Sequence, residues 1–228
     1  MSKIVLALDV EKDRAVEIIN KLSGYVEIYK IGHKLFTSNP ELIDYINKKG
    51  KKVLLDLKYH DIPSVIGLAV EEAAKRFSPF GLTLHTSGSR KMMASAVEAK
   101  NKLAGDKQPI LFGVTVLTSL DMSDLESIGV KAKDVAAQVT RLARLAKECN
   151  LDGIVCSGHE IEQIKSICGR EFKTLVPGLS LTADANKDQK RTFTVKDAIS
   201  KGADYIVVGR AIYESPDPIA VVKQILSR

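Results

Sequence analysis

Hydrophobic positions along the chain alternate between two textures: short apolar runs rich in β-branched residues, and longer stretches with apolar residues at three- and four-residue intervals. Eight runs read as strands: KIVLALD (3–9), VEIYKIG (26–32), KVLLDLK (52–58), GLTLHTS (81–87), ILFGVTVLT (110–118), DGIVCSG (152–158), TLVPGLS (174–180) and YIVVGR (205–210). Between them lie amphipathic segments such as SVIGLAVEEAAKRF (64–77) and DVAAQVTRLARLAKE (134–148), each with one apolar stripe to set against a sheet. Strands that are nearly continuous in apolar character are buried on both faces, which is the mark of a parallel sheet. Eight strand–helix units without an internal linker therefore predict an α/β protein with a (β/α)8 TIM barrel, one domain over residues 1–228. An open doubly wound sheet would carry a Gly-x-Gly-x-x-Gly loop after its first strand; here Asp9 is followed by VEKDRA.

Composition agrees with a soluble globular protein: 45% of the 228 residues are apolar and 27% charged. The net charge of +6 favours anionic partners, but the densest basic run, NKKGKKV (47–53), has no interleaved aromatic residues to stack on bases. It reads as a solvated turn, and no nucleic-acid partner is expected. Cys149, Cys156 and Cys168 are odd in number and lack Cys-x-x-Cys spacing, so neither disulfides nor structural zinc is expected. The opening MSKIVLALDV stops at Asp9 after too few apolar residues for a signal peptide or a membrane span, and a cytoplasmic location is expected.

In a barrel, function gathers at the C-terminal ends of the strands. The residues predicted there are polar: Asp9, Lys30, Asp56 with Lys58, His85 to Ser87, Thr118 with Ser119, Ser157 with His159, Gly178 to Ser180, and Gly209 with Arg210. Such a set suits a small charged ligand. The most informative stretch is LLDLKYHDIP (54–63). Alternation turns Asp56 and Lys58 to the barrel axis and Leu55 and Leu57 to the helices. An isolated Asp–Lys pair also fits a buried ion pair that fixes strand register. The company of Asp61, Asp9 and Lys30 favours a site.

A Schiff-base lysine must be a neutral amine, whereas the aspartates around Lys58 favour its ammonium form. A protonated lysine between carboxylates suits a reaction that forms a carbanion and quenches it with a proton, such as decarboxylation. Here DLKYHDIP resembles the Asp-x-Lys-x-x-Asp-Ile-Pro signature of the orotidine 5'-monophosphate decarboxylase family. LALD, YKIG, HTSG, VTVLTS, VPG and DYIVVGR match further pieces in order along the chain.

The resemblance implies decarboxylation of orotidine 5'-monophosphate to uridine 5'-monophosphate in pyrimidine biosynthesis, without cofactor or metal. Lys58 would protonate C6, with Asp56 beside the departing carboxylate and Lys30 extending an alternating Lys-Asp-Lys-Asp array. Asp61 would close that array in the neighbouring subunit of a homodimer. Asp9 and Lys30 would contact the ribose, Thr118 the pyrimidine, and Gly209 and Arg210 the phosphate. Gln189, from a polar lid over 181–191, would reach both phosphate and base. The chain departs from the family at PGLS, where Ser180 stands in place of a usual arginine; Lys187, Lys190 and Arg191 are alternative sources of that charge. Two other readings remain at this point. One is a magnesium-dependent sugar-phosphate lyase of the hexulose-phosphate synthase and keto-gulonate-phosphate decarboxylase type, which would carry a glutamate where Lys30 stands. The other is a non-catalytic barrel that binds a phosphorylated metabolite.

Overall fold

A computed structural model of the protein describes residues 2–181 and 193–227. Eight parallel strands close into a barrel: β1 (Lys3–Ala7), β2 (Ile28–Gly32), β3 (Lys52–Tyr59), β4 (Gly81–His85), β5 (Ile110–Val114), β6 (Gly153–Val155), β7 (Lys173–Val176) and β10 (Tyr205–Val208). The short strands β8 (Leu179–Ser180) and β9 (Phe193–Thr194) pair with each other beside it. Outside run α1 (Lys12–Leu22), α2 (His33–Ser38), α3 (Leu42–Lys48), α4 (Pro63–Phe77), α5 (Arg90–Asn101) and α6 (Met122–Ser127). They are followed by α7 (Val135–Glu148), α8 (Ile161–Cys168), α9 (Val195–Ser200), α10 (Arg210–Tyr213) and α11 (Pro218–Leu226). The (β/α)8 expectation holds, with additions: two helices fill the second crossover (α2 and α3) and the fifth (α6 and α7), and two, α10 and α11, follow the last barrel strand. Among the described residues, no helix is long and apolar enough to cross a membrane.

Most strands end before their apolar runs do, and the seventh shows why most clearly. The seventh run ends at Val176 because Pro177 has no N–H for the ladder and Gly178 takes a positive φ of 73°. Leu179 and Ser180 then leave the barrel and find partners in Phe193 and Thr194.

Strand register sorts the inward side chains into layers drawn alternately from odd and even positions around the barrel. Val5, Leu54, Phe112 and Leu175 form one layer, with Ile28 and Tyr205 from the layer beneath. Tyr205 meets Phe80 and Phe112 edge-on at ring distances of 5.5 and 5.6 Å, so the lower end of the barrel is plugged by aromatic rings. Above come Lys30, Thr83, Val155 and Val207, and then Ala7, Asp56 and Val114 at the upper rim. The outward residues, among them Leu6, Ile31, Leu55, Leu82 and Ile206, pack against the helices.

Two half-buried carboxylates tie strand starts to helices by the same device. Asp152, before β6, accepts the Leu111 N–H of β5 at 2.7 Å and binds Lys100 of α5 at 2.6 Å. Asp204, before β10, accepts the Thr174 N–H of β7 at 2.7 Å and the Thr174 hydroxyl at 3.0 Å, and binds Lys165 of α8 at 2.6 Å. Removing the carboxylate leaves its strand N–H and its lysine without their acceptor at sites that water reaches only in part. Asp204→Ala is expected to lower unfolding free energy by about 1–3 kcal/mol. Urea unfolding checks this, and since Asp204 lies at the end of the barrel away from Asp56, turnover per folded molecule should be unchanged.

Candidate active site

The upper two layers of the barrel make the floor of a cavity of about 220 Å³, lined by Lys30, Asp56, Lys58, Thr118 and Ser119 on one side and by Val114, Val155, Cys156, Leu175, Pro177 and Val207 on the other. β2 and β3 contribute charge and β5 to β10 contribute apolar surface. A larger, open groove of about 540 Å³ flanks the starts of β7 and β10. Of its cations Lys165, Arg170 and Lys201, the two lysines are paired with Asp204 and Glu162, and the groove is remote from the Asp–Lys cluster.

Asp56 is the centre of the cluster. Its Oδ1 accepts from Lys58 Nζ at 2.9 Å and from the Thr83 hydroxyl at 2.9 Å, while its Oδ2 lies 3.5 Å from Lys30 Nζ. Lys30 in turn donates to Asp9 Oδ1 at 3.2 Å. The side chain of Lys30 is only 12% exposed and that of Asp56 15%, whereas Asp9 is 63% exposed. Burial alone pushes the Asp56 carboxyl up; Lys30 and Lys58, with hydrogen bonds from Lys58 and Thr83, outweigh it and hold the group below its ordinary value of 3.8. Asp56 is therefore an anion at neutral pH.

Simple strand alternation predicts that Asp56 and Lys58 share a face, and they do meet, but the backbone between them is not a regular strand. Between the pairs Leu55↔Leu82 and Tyr59↔Leu84 the register shifts, so that Asp56, Leu57 and Lys58 stand opposite the single residue Thr83. Lys58 has a φ of 47°, uncommon for a residue with a side chain. Its N–H, out of the ladder, donates to the Thr83 hydroxyl at 2.9 Å. Thr83 is 1% exposed and belongs to the cluster, although it is absent from the residues predicted at the strand ends. The signal that could have found it is its even spacing between Gly81 and His85, which turns it to the axis.

The other predicted residues lie in different places. Thr118 lines the cavity with the charged cluster. Gly209 and Arg210 stand just beyond Val207, and a side chain at Gly209 would press on Ala7, with its Cβ 3.2 Å from the Ala7 carbonyl oxygen. Asp61 is set apart: it is exposed, and its carboxylate accepts the N–H of Ile62 at 2.6 Å. Gln189 and most of the 181–191 segment, including Lys187, Lys190 and Arg191, lie outside the described residues. Ser180 is 2% exposed and turns its hydroxyl to the Phe193 carbonyl, so it does not stand in for an arginine at a phosphate.

The rings of His85 and His60 meet at a tilt of 40° with their centres 5.5 Å apart beside the cluster. Burial, then His60 and Lys58, push His85 below its ordinary value against the pull of Asp56, so it is neutral at pH 7. Burial pushes the Cys156 thiol well up, which leaves it unreactive in the cavity wall. Among the described residues, no three His, Cys, Asp or Glu side chains are grouped to hold a metal ion.

Comparison with known proteins places this geometry. Residues 2–225 match the model of the orotidine 5'-phosphate decarboxylase / HUMPS family. The chain is 41% identical over 226 residues to an orotidine 5'-phosphate decarboxylase of Saccharophagus degradans, covering 98% of this chain and 93% of that protein. Its fold is similar to that of the Lactobacillus acidophilus orotidine 5'-phosphate decarboxylase, with a TM-score of 0.87 and 30% identity over 100% of this chain and 98% of that one. It is also similar to the Methanocaldococcus jannaschii orotidine 5'-monophosphate decarboxylase complexed with the inhibitor BMP, with a TM-score of 0.75 and 25% identity over 100% of both chains. With an ammonium array at the rim of a (β/α)8 barrel and matches of this extent, the chain belongs to the orotidine 5'-phosphate decarboxylase / HUMPS family.

Proposed function

We propose that the protein converts orotidine 5'-monophosphate to uridine 5'-monophosphate and carbon dioxide in pyrimidine biosynthesis. The observation that carries this reading is the Lys58 ammonium, 2.9 Å from the ionised Asp56 and open to the cavity. The C6–carboxylate bond breaks, its electron pair stays on C6, and carbon dioxide leaves. Lys58 then donates a proton to C6 and recovers one from solvent. Asp56 holds Lys58 aimed until that moment, and Lys30 braces Asp56 from its other oxygen. The pyrimidine rests against Val114, Val155, Pro177 and Val207, with Thr118 at its polar edge. Asp9 and Lys30 take the ribose hydroxyls, and Gly209 and Arg210 take the phosphate, where backbone N–H groups at a strand-to-helix turn suit an anion. Gln189 would complete the phosphate and base contacts.

Energy is the reason for so remote a phosphate site. Enzymes lower barriers by roughly 8–23 kcal/mol, and decarboxylation without an electron sink belongs in the upper part of that range. A general acid supplies only a share, so contacts to ribose and phosphate must align the base and exclude water. The magnesium-dependent alternative is disfavoured by Lys30, whose ammonium lies between Asp9 and Asp56, where a divalent cation would be repelled.

The same reading makes the active unit a homodimer in the cytoplasm, with Asp61 completing the partner's array. Support comes from the exposure of Asp61 and from the surface next to it, where Ile62, Val65 and Leu68 of the α4 region are 61%, 42% and 62% exposed. Such a contiguous apolar face beside an active-site residue suits burial against a second copy.

Chelator-treated protein is expected to consume orotidine 5'-monophosphate, followed by loss of ultraviolet absorbance. Lys58→Ala should lower turnover by about 10²–10⁴-fold while retaining uridine 5'-monophosphate affinity; wild-type turnover in that variant, or an absolute need for magnesium, would refute the assignment. Leu68→Asp is expected to yield monomers in sedimentation and to lose at least about tenfold in turnover, since an alignment of this kind is worth up to about 10²-fold. A fully active monomer would remove Asp61 from the mechanism.

A further inference from the structure

We infer that Thr83 is a positioning residue for the decarboxylation, acting through both Lys58 and Asp56; this rests on the function proposed above. At the bulge in β3, three residues face one on β4, and regular strand pairing no longer supplies an acceptor for the Lys58 N–H. The Thr83 hydroxyl supplies it at 2.9 Å and donates its own hydrogen to Asp56 Oδ1 at 2.9 Å. One oxygen thus holds the backbone of the proton donor and the side chain of its counter-ion.

Two features make this more than a satisfied core hydroxyl. Lys58 is kept at a φ of 47°, a conformation that persists only where its surroundings over-determine it. In addition, the same Asp56 oxygen receives both the Lys58 ammonium and the Thr83 hydroxyl, so the direction of Lys58 depends on where Thr83 holds that oxygen. A shift of about 1 Å at a reacting group costs as much as 10²-fold in rate. Serine would preserve both hydrogen bonds; valine would remove both with little change in shape.

Thr83→Val is expected to lower kcat about 10- to 100-fold with little change in KM. The carboxyl of Asp56 should titrate at higher pH than in the wild type, read by carbon NMR of labelled aspartate. The charged and titratable groups around it are Lys30 on β2, Lys58 on β3, His60 after β3, His85 on β4 and Asp9 after β1. None is changed by the substitution, so the movement reports the lost hydrogen bond. Thr83→Ser is expected to restore kcat and the titration together. A folded Thr83→Val protein with wild-type kcat and an unmoved titration overturns the inference, and so does a serine variant as impaired as the valine one. Should the valine variant fail to fold, Thr83→Ala replaces it, and equal loss in alanine and serine variants overturns the inference. A moved titration in a protein whose wild type does not act on orotidine 5'-monophosphate would refute the substrate and leave the positioning role standing.

Discussion

A carboxylate inside a barrel is costly: moving an ion of that size out of water loses several kcal/mol even after the protein relaxes. Asp56 remains ionised because three donors from three strands converge on it, Lys30 from β2, Lys58 from its own strand and Thr83 from β4. The dependence runs both ways. Each ammonium is held in a half-buried position by the same anion, so the loss of one partner leaves the others as uncompensated charges. The closed barrel makes this possible, because its layers bring side chains of neighbouring strands to adjacent heights without any loop having to be ordered.

The rim is polarised around its circumference. Positions facing the axis on β2, β3 and β4 carry Lys30, Asp56 and Thr83, while their counterparts on β5, β6 and β10 carry Val114, Val155 and Val207. Beneath both lies an apolar layer of Val5, Leu54, Phe112 and Leu175 over aromatic rings. A flat heterocycle entering this space meets charge at one edge and hydrocarbon at the other. Low polarisability on the apolar side strengthens every interaction on the charged side. This suits a reaction in which negative charge passes from a carboxylate to a ring carbon without leaving the neighbourhood of Lys58.

The alternation of apolar runs and amphipathic segments is enough to read the barrel, because a parallel strand buried on both faces leaves little else in the sequence. Lys30, Asp56 and Lys58 are legible as one charged cluster for a related reason: a charge at the end of an apolar strand is costly to bury and calls for a ligand or a counter-ion. The bulge is not legible. Nothing in LLDLKYHDIP marks Lys58 as left-handed, since lysine has no preference for that region and no glycine is present. Thr83 is hidden by its own suitability, because threonine in GLTLHTS reads as an ordinary strand former. The seventh run overextends for a local reason, Pro177 followed by Gly178 with positive φ. Ser180 is recognisable as a departure, yet only the packing shows that its hydroxyl is occupied by Phe193.

The strained backbone at Lys58 follows from the distances the chemistry requires. In a regular strand, residues 56 and 58 would stand about 6.6 Å apart along one face, and a lysine there would project past its aspartate toward solvent. With the backbone left-handed at Lys58, Nζ rests 2.9 Å from Asp56 at the cavity wall. Glycine would adopt this backbone without strain but has no amine to donate. The cost of a left-handed residue, about 1–2 kcal/mol, is small beside the barrier at stake. Lys30 sets the kind of chemistry that this geometry serves. A carboxylate in its place would join Asp9 and Asp56 in a set of oxygen ligands suited to a divalent cation. An ammonium there instead pairs with both aspartates, and the proton available at the cavity wall is the one on Lys58.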